Sequence, residues 1–270
     1  MKFGFIGAGN MASAIIKGMT VGTGSYEGKD IFVTSRTVVS AEKLAESCGV
    51  SALQTSEEVV KSSDVLVLAV KPHVLAQVLP DLKAVIGEKR PLVVSIAAGK
   101  DLAYLAELLP EKTPVVRVMP NINAKIGAST SGMCVNGFVT AEQKETVKKM
   151  FETVGSVQEI SEEQFAVFGV IGGASAAFAY IYMDALARAA LKAGMPKKQA
   201  LEITAQTVLG SAEMILKGKE APWVLVDQVC SPAGTTIEGV AALQENGFES
   251  TIMKAFDAVL EKDKKIGGKK

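Results

Sequence analysis

The sequence predicts an α/β fold in which a doubly wound sheet at the N-terminus is followed by an all-helical domain. Up to about residue 160, short β-branched runs alternate with helical patterns, as is typical of βαβ units. Several strand candidates, such as Val65–Val70, are apolar throughout, which favours parallel strands covered on both faces. From Glu162 onward the strand signal nearly disappears. We therefore expect one domain over residues 1–160 and a helical one over residues 161–270.

The elements of the N-terminal domain follow from periodicity. The strongest strand signals are Lys2–Ile6, Ile31–Thr34, Val65–Val70, Leu92–Ile96 and Val115–Val118. Weaker ones lie near Val50–Leu53, Ser129–Val135 and Val157–Ile160. Helical patterns between the strands cover Met11–Met19, Ser40–Ser47, Val74–Val85, Leu102–Leu109 and Ala141–Thr153.

Helical patterns alone make up the C-terminal part of the chain. They cover Glu162–Ala193, Pro196–Lys217, Ala221–Val229, Thr236–Glu245 and Phe248–Lys264. The first would span roughly 48 Å at about 1.5 Å per residue, too long for a compact monomeric domain of this size. Its length therefore predicts a second subunit.

The same helix raises the alternative of a membrane span. Phe165–Met183 is a stretch of 19 residues without a charge, which is long enough to cross a bilayer. The pattern continues with Asp184, Arg188 and Lys192, and these fall on a single polar stripe. We therefore interpret the segment as a helix buried between subunits, and expect no membrane partner.

Charge and cysteine content narrow the class of protein. The 29 basic and 29 acidic side chains cancel, so no net field attracts nucleic acid or an anionic membrane. Cys48, Cys134 and Cys230 are widely spaced, without a CxxC pair, which favours a reducing compartment over a disulfide framework or a zinc site. The apolar run Phe3–Ile6 lacks the flanks of a signal peptide. We expect a cytoplasmic protein with no metal site and no nucleic-acid partner.

A glycine-rich turn follows the first strand and opens the first helix. Residues 7–12 read GAGNMA, the pattern G-x-G-x-x-A in the place that a Rossmann-type dinucleotide site requires. Gly7 permits a tight turn, Gly9 lets the backbone approach a pyrophosphate, and Ala12 allows close packing of helix on strand. N–H groups at the helix start then face the phosphates with a favourable dipole. The candidate ligands are Gly7, Ala8, Gly9, Asn10 and Met11.

The end of the second strand predicts which dinucleotide binds. An NAD site usually has an acidic residue here, whereas this chain reads Thr34-Ser35-Arg36-Thr37. Arg36 can form a charge-assisted bond with a 2′-phosphate, and the neighbouring hydroxyls can contribute. The alternative is a solvent-exposed arginine in a turn. We expect NADPH as cofactor, with Ser35 and Arg36 as ligands, and leave NADH use open.

Two further strand ends are expected in the same crevice, because ligands of open α/β sheets bind beyond the carboxyl ends of strands. Lys71 and Pro72 follow one strongly apolar strand, and Ala97 and Ala98 follow the next. The small side chains of Ala97 and Ala98 let a nicotinamide lie close to the backbone. Lys71 is equally well explained as a surface lysine. His73, the only histidine, is interpreted as incidental, since one histidine builds neither a catalytic triad nor a zinc pair.

Four motifs occur along the chain in the following order: GAGNMA at 7–12, AVKP at 69–72, RVMPN at 117–121 and SPAGTT at 231–236. Together they resemble the pyrroline-5-carboxylate reductase family over essentially the whole chain. The resemblance implies an NADPH-dependent enzyme that reduces a small-molecule substrate, the cyclic imine 1-pyrroline-5-carboxylate, to L-proline, the last step of proline biosynthesis. It also implies a helical dimerisation domain, hence a homodimer or higher homo-oligomer. Within RVMPN, Asn121 is a further candidate cofactor ligand.

The SPAGTT segment is the most specific of these motifs. N–H groups at Gly234, Thr235 and Thr236 stand where a loop becomes a helix, which is a ready site for a carboxylate. The simpler alternative is N-capping of that helix by a serine or threonine. The resemblance favours a substrate loop formed by Ser231, Gly234, Thr235 and Thr236. It also implies that Thr236, as the catalytic residue, hydrogen-bonds the ring nitrogen.

The chain departs from the usual family sequence in three segments. Residues 172–178 read GGASAAF where SGSGPAY is usual, Ala233 stands in the place of a second glycine, and Ile122-Asn123 stands in the place of Thr-Pro. A lost tyrosine hydroxyl and a stiffer loop bear on the choice of substrate.

Two other functions are weighed against the reductase. A β-hydroxyacid dehydrogenase shares the plan but uses a lysine near the start of its long inter-domain helix, and no lysine occurs between Lys149 and Lys192. A non-catalytic dinucleotide-binding paralogue fits the same scaffold, because fold does not establish activity. The intact GAGNMA and SPAGTT motifs favour the enzyme.

Overall fold

The computed structural model describes residues 1–267. They form two compact units, one comprising Met1–Gly173 with the chain from Lys262 onward, the other comprising Ala174–Glu261. The domain boundary expected between residues 160 and 161 lies earlier in the chain than this division. Residues 268–270 of the expected helical domain lie outside the described residues.

The first unit is built on one eight-stranded sheet with the order β3-β2-β1-β4-β5-β6-β7-β8. Its strands are β1 (Phe3–Ile6), β2 (Ile31–Thr34), β3 (Ser51–Ala52), β4 (Val65–Leu68), β5 (Leu92–Ser95), β6 (Val115–Met119), β7 (Ser129–Val135) and β8 (Gly155–Glu159). Neighbouring strands are parallel except β6 and β7, which pair antiparallel. A doubly wound, mostly parallel sheet followed by helices confirms the predicted fold class.

The last two strands, β7 and β8, are antiparallel to the other six, although the apolar runs predicted a parallel sheet. The link from Met119 to Ser129 consists mainly of a 3₁₀ turn, Ile122–Ile126. A parallel return needs a crossover of about a dozen residues or more. The short link therefore returns β7 antiparallel to β6.

Helices of the first unit connect these strands. They are α1 (Asn10–Lys17), α2 (Val38–Cys48), α3 (Ser56–Ser62), α4 (Pro72–Lys89), α5 (Leu102–Leu108), α6 (Ala141–Glu152) and α7 (Phe165–Phe168). The periodicity did not predict α3, which is too short to show it. Its local signal is a capping box, in which the Thr55 hydroxyl accepts the Glu58 N–H over 3.1 Å and the Glu58 carboxylate accepts the Thr55 N–H over 3.0 Å.

Apolar side chains cover both faces of the sheet. Along β4, Val65 and Val67 belong to one buried cluster, and Leu66 and Leu68 belong to the other. Successive side chains of a strand point to opposite faces. The continuously apolar run therefore marks a central strand covered on both sides, as predicted.

The segment expected as one helix from Glu162 is helical throughout, but it is not α-helical throughout. A 3₁₀ turn (Glu162–Gln164) and α7 are followed by a π-helical turn (Gly169–Ala174) and then by α8 (Ser175–Lys192). The π-helical turn reads GVIGGA, and glycine tolerates backbone conformations that other residues resist. Turns of this kind frequently mark functional positions.

The second unit is all-helical and has almost no core of its own. Its helices are α8, α9 (Lys197–Lys217), α10 (Pro222–Val229), α11 (Thr235–Glu245) and most of α12 (Phe248–Gly267). Within Ala174–Glu261 the buried residues are small ones, namely Ala187, Ala200 and Thr204. Large apolar side chains are exposed instead, among them Ile181, Leu216 and Met253. An exposed apolar surface of this extent marks an interaction surface.

One helical stretch among the described residues, Glu162–Lys192, is long and apolar enough to cross a membrane, and 22% of its most apolar window is buried. Length and composition show no more than that. A helix that packs against a second protein chain meets the same two criteria.

Candidate active site

The glycine-rich turn lies where the strand order of the sheet reverses. β1 has β2 on one side and β4 on the other, and ligands of open α/β sheets bind at such a switch point. The Gly7 N–H donates to the Thr34 carbonyl at the end of β2 over 2.8 Å, and the Ala69 N–H, just after β4, donates to the Ile6 carbonyl over 2.9 Å. The turn is therefore held between the ends of three strands.

Gly7 and Gly9 are glycines for different reasons. Gly7 has a φ of +116°, and a Cβ there would lie 2.5 Å from the Ala69 carbonyl oxygen, so backbone and space both require glycine. Gly9 has a φ of −78°, which any residue adopts, and a Cβ there would meet no protein atom within 4 Å. The protein thus leaves room beside Gly9, where the sequence predicts the pyrophosphate.

Helix α1 presents an uncapped N-terminus to this space. Its N-cap is Gly9, which has no capping side chain, and its first turn contains no acidic residue. The N–H groups and the positive dipole end of a helix suit an anion. Behind them Ala12 is buried in the core, as expected for close packing of helix on strand. Ala8 and Met11 are partly exposed and Asn10 is exposed, and their assignment as pyrophosphate ligands stays a prediction.

The residues after β2 form a second place for an anion. Arg36 is exposed, and the Ser35 hydroxyl donates to the Thr37 carbonyl over 2.7 Å. Thr37 is the N-cap of α2, but its hydroxyl pairs with the Ser40 hydroxyl over 2.9 Å and makes no capping bond. An exposed guanidinium thus stands next to an uncapped helix start, a combination that suits a phosphate group.

The ends of β4 and β5 complete this edge of the sheet. Lys71 is exposed and is the N-cap of α4, which begins at Pro72. After β5, the Ile96 N–H donates to the Leu68 carbonyl over 3.3 Å, so the two strand ends are joined. Ala97 is buried and Ala98 is exposed. His73 is exposed in the first turn of α4.

These features fit a nicotinamide dinucleotide. The open side of Gly9 and the start of α1 suit the pyrophosphate, and Arg36 with the start of α2 suits a 2′-phosphate. Lys71 adds a second exposed cation, and Ala97 and Ala98 offer the small side chains that a flat ring needs.

In the helical unit, SPAGTT forms a tight turn that opens α11. The Gly234 N–H donates to the Ser231 carbonyl over 2.9 Å, and a Cβ on Gly234 would displace the Ser231 hydroxyl. Ala233 has a φ of +56°, a left-handed conformation that costs a non-glycine residue about 1 kcal/mol. The family's usual glycine would adopt it freely.

Thr235 and Thr236 are the first two residues of α11, and both are exposed. The N-cap is Gly234, without a capping side chain, so the alternative of a capping serine or threonine does not describe this turn. The free N–H groups at the start of α11 suit a carboxylate, and the two exposed hydroxyls belong to the same first turn.

Asn121 lies in a different environment from the other predicted cofactor ligands. It is 8% exposed; its Nδ2 donates to the Gly172 carbonyl over 2.7 Å and its Oδ1 accepts the Asn123 N–H over 3.0 Å. Its own N–H donates to the Ser129 hydroxyl over 3.1 Å. The assignment of Asn121 as a cofactor ligand stays a prediction.

A charged cluster around Arg117 was not predicted. Arg117 pairs with Glu162 over 3.1 Å, and Glu162 also accepts the Leu102 N–H over 2.7 Å. Burial and, next, the Glu162 carboxylate raise the pKa of the Cys134 thiol to about 12. The available signal was the alternation within β6, which places residues 117 and 119 on one face of the strand.

Two family models match the chain. Residues 162–266 match the model described as pyrroline-5-carboxylate reductase dimerisation. Residues 2–99 match the model described as NADP oxidoreductase, coenzyme F420-dependent. The matches correspond to the helical segment and to the glycine-rich half of the sheet.

Relatives with the same description cover nearly the whole chain. The pyrroline-5-carboxylate reductase of Escherichia coli strain K12 is 36% identical over 265 residues, which is 98% of each chain. The structure of a pyrroline-5-carboxylate reductase from Coxiella burnetii has a TM-score of 0.92 at 32% identity and covers 98% of this chain and 97% of that one. The Plasmodium falciparum pyrroline carboxylate reductase with NADP bound has a TM-score of 0.87 at 28% identity, over 99% and 98% of the two chains. The chain therefore belongs to the pyrroline-5-carboxylate reductase family.

Proposed function

We propose that the chain is an NADPH-dependent pyrroline-5-carboxylate reductase, which reduces 1-pyrroline-5-carboxylate to L-proline. The observation that carries this function is the turn at residues 231–236, which presents the uncapped start of α11 with two threonines in its first turn. An anion site beside hydroxyl groups suits a substrate with a carboxylate and a ring nitrogen. The curated relatives support the same reaction.

The first unit holds the cofactor. Gly7, Ala8, Gly9, Asn10 and Met11 receive the pyrophosphate at the start of α1. Ser35 and Arg36 bind the 2′-phosphate, so NADH binds more weakly than NADPH. The nicotinamide end is bordered by Lys71, Pro72, Ala97 and Ala98. The NADP in the Plasmodium falciparum relative supports this cofactor, which supplies the hydride when bound.

The chain's own groups bind and orient the imine. N–H groups at Thr235 and Thr236 hold the carboxylate, in the turn that the Gly234 N–H closes on the Ser231 carbonyl. The Thr236 hydroxyl hydrogen-bonds the ring nitrogen and so fixes the imine carbon for reduction. Addition of a hydride to the imine carbon of the protonated ring, which becomes C5 of L-proline, turns the C=N bond into a single bond, and the nitrogen keeps its proton as an amine. No strong general acid is needed, because the protonated imine is already electrophilic.

A second copy of the chain covers the helical unit. Its exposed apolar side chains and its minimal core make a homodimer, or a higher homo-oligomer, the state in which this unit is stable. The same contact accounts for the apolar stretch 165–183 without a membrane. A cytoplasmic location agrees with three free cysteines, Cys48, Cys134 and Cys230.

Binding of L-proline to the NADP⁺-loaded protein tests the substrate site without turnover. A ligand that binds the native state raises the melting temperature, so we expect Tm to rise with the concentration of L-proline. Thr236→Val, which replaces the hydroxyl with a methyl, should reduce this rise. Thr235→Val, which keeps the N–H and removes the neighbouring hydroxyl, is the matched control and should reduce it less.

If L-proline leaves the Tm unchanged at every concentration while NADP⁺ still raises it, the non-catalytic paralogue is favoured. The β-hydroxyacid dehydrogenase alternative is disfavoured by family membership and by the lack of a lysine between Lys149 and Lys192.

A further inference from the structure

The loop that follows β5, residues 96–101, is fixed to the protein at both ends. The Ile96 N–H donates to the Leu68 carbonyl at the end of β4 over 3.3 Å. Directly after the loop, the Leu102 N–H donates to the Glu162 carboxylate over 2.7 Å. The two partners of this second bond are 60 residues apart in the chain, and both belong to the first compact unit. The loop therefore has one tether to the sheet and one to a side chain outside the sheet.

Helix α5 itself supplies no partner for the Leu102 N–H. Leu102 is the first residue of α5, and the N–H groups of a first helical turn have no acceptor within the helix. The side chain of the N-cap, Asp101, accepts the Tyr104 N–H over 2.7 Å. Glu162 thus provides the acceptor that this position needs. A bond from a backbone N–H to a carboxylate is charge-assisted and roughly twice as strong as a neutral one.

Glu162 is itself held in place. Its Oε1, the atom that accepts the Leu102 N–H, also accepts a bond from the Arg117 guanidinium over 3.1 Å. That guanidinium lies 4.1 Å from the centre of the Phe165 ring, and only 12% of the Arg117 side chain is exposed. A planar cation with an anion at its edge and a ring on its face has little freedom to move. The carboxylate is therefore a fixed anchor for the loop.

The middle of the loop borders open space. A Cβ on Gly99 would meet no protein atom within 4 Å, and Ala98 is exposed. The N–H of Ala97 lies 3.4 Å from the Ser95 hydroxyl, which is long for a hydrogen bond. The positions of Ala97 and Ala98 therefore depend on the two tethers at the ends of the loop.

We propose that Glu162 is a positioning residue for the nicotinamide end of the cofactor, acting through the first N–H of α5 on the loop at 96–101. The inference rests on the proposed function, in which Ala97 and Ala98 border the nicotinamide. A loop that takes up its binding conformation only about a tenth of the time weakens binding about 10-fold. The phosphate groups of the cofactor bind after β1 and β2, so their contacts do not depend on Glu162.

The affinities of two ligands separate this role from a general effect on the fold. NADPH carries the nicotinamide, whereas 2′-phospho-ADP-ribose lacks it and keeps all the phosphate groups. We expect Glu162→Ala to raise the Kd for NADPH about 10-fold and to leave the Kd for 2′-phospho-ADP-ribose at the wild-type value. Glu159→Ala, which removes the bond between Glu159 and Lys144 over 2.7 Å, is the matched control and should change neither Kd.

Two further variants test the route through the Leu102 N–H. Glu162→Gln keeps an oxygen acceptor of the same reach, so it should recover most of the NADPH affinity that Glu162→Ala loses. Leu102→Pro removes the N–H and keeps the carboxylate. Proline is accepted as the first residue of a helix, and Asp101 before it already has the extended backbone that proline requires, with φ −86° and ψ 174°. Leu102→Pro should therefore show the same selective loss, even if Glu162→Ala does not fold.

Hydrogen exchange of the full-length protein reports on the loop directly. In the ligand-free protein, Glu162→Ala should raise deuterium uptake in peptides covering residues 96–101, and Glu159→Ala should not. In the wild type, NADPH should lower this uptake more than 2′-phospho-ADP-ribose does.

Three results would overturn the proposal. Equal losses of affinity for both ligands in Glu162→Ala would make the role of Glu162 merely structural. Wild-type affinity for NADPH in both Glu162→Ala and Leu102→Pro would leave the tether without a role. Equal protection of residues 96–101 by the two ligands would place the nicotinamide elsewhere. A wild-type protein that passes these binding tests and fails to reduce the imine refutes the proposed function instead.

Discussion

The N–H of Gly7 donates a 2.8 Å hydrogen bond to the carbonyl of Thr34, which ties the turn after β1 to the end of β2. Thr34 immediately precedes Ser35 and Arg36. The two places that suit phosphate groups are therefore connected through one backbone hydrogen bond. A cofactor that spans both is bound by a preorganised surface, which lowers the entropic cost of binding.

Substitution of the two glycines should separate folding from cofactor binding. Gly9→Ala introduces a methyl group into open space at a φ that alanine adopts, so the unfolding free energy should fall by no more than about 1 kcal/mol, the penalty of alanine at an N-cap. The same methyl occupies the space proposed for the pyrophosphate, and NADPH should bind about 10-fold more weakly or worse, a loss of about 1.4 kcal/mol. Gly7→Ala meets the Ala69 carbonyl at a positive φ and should cost about 1–3 kcal/mol of stability. Chemical denaturation and NADPH titration measure both. Wild-type NADPH affinity in Gly9→Ala would contradict the site.

Removal of Arg36 should change the preference between the two cofactors. Arg36→Ala deletes a charge-assisted bond to the 2′-phosphate worth about 1.5–3 kcal/mol, so KM for NADPH should rise by about 10- to 100-fold. KM for NADH should stay unchanged. Lys43→Ala, an exposed cation on α2, is the control and should alter neither constant. Equal effects of Arg36→Ala on both cofactors would place the 2′-phosphate elsewhere.

Ala233 offers a test of the strained substrate loop. Ala233→Gly relieves a left-handed alanine worth about 1 kcal/mol, and the greater freedom of glycine in the unfolded chain offsets part of the gain. Unfolding free energy should be unchanged or raised by up to about 1 kcal/mol. Ala241→Gly, in the interior of α11, should lower it by about 1 kcal/mol. Thermal or chemical unfolding distinguishes the two, and equal destabilisation would show that residue 233 carries no strain.

Stability should fall at alkaline pH because of Cys134. Its thiol has a pKa of about 12 in the folded protein against 9.0 for the free group, so the unfolded chain ionises first as pH rises. The stability contributed by the neutral thiol is complete below pH 9.0 and is lost towards about pH 12, by up to about 1.4 kcal/mol per pH unit. Cys134→Ala should flatten this slope, whereas Cys230→Ala, a partly exposed thiol, should keep it. Identical slopes for wild type and Cys134→Ala would refute the assignment.

The sequence predicted the sheet and the cofactor turn well because both depend on local rules. The continuous apolar run of β4 reports burial on both faces, and Gly7 reports a conformation that only glycine adopts readily. The reversal of β7 was missed, since it depends on the length of one link rather than on the strand itself. The π-helical turn was also missed, because its stabilising contacts come from Met119 and Asn121, about fifty residues earlier in the chain.

The second unit shows a different limit. Its helices were predicted nearly to their ends, yet periodicity could not distinguish apolar positions that form a core from those left exposed. Ile181 and Leu216 are apolar in sequence and 69% and 83% exposed in the chain. Which molecule covers such positions depends on the assembly and not on the fold of one chain. The match of residues 162–266 to a dimerisation family model indicates that another copy of the chain covers them.

The initial rate of NADPH oxidation with 1-pyrroline-5-carboxylate tests the central claim most directly, with NADH measured in parallel. We predict a rate that saturates in both components, forms L-proline in equal amount, and is higher with NADPH at low cofactor concentration. No oxidation of either cofactor, in protein that still binds NADPH, would contradict the account.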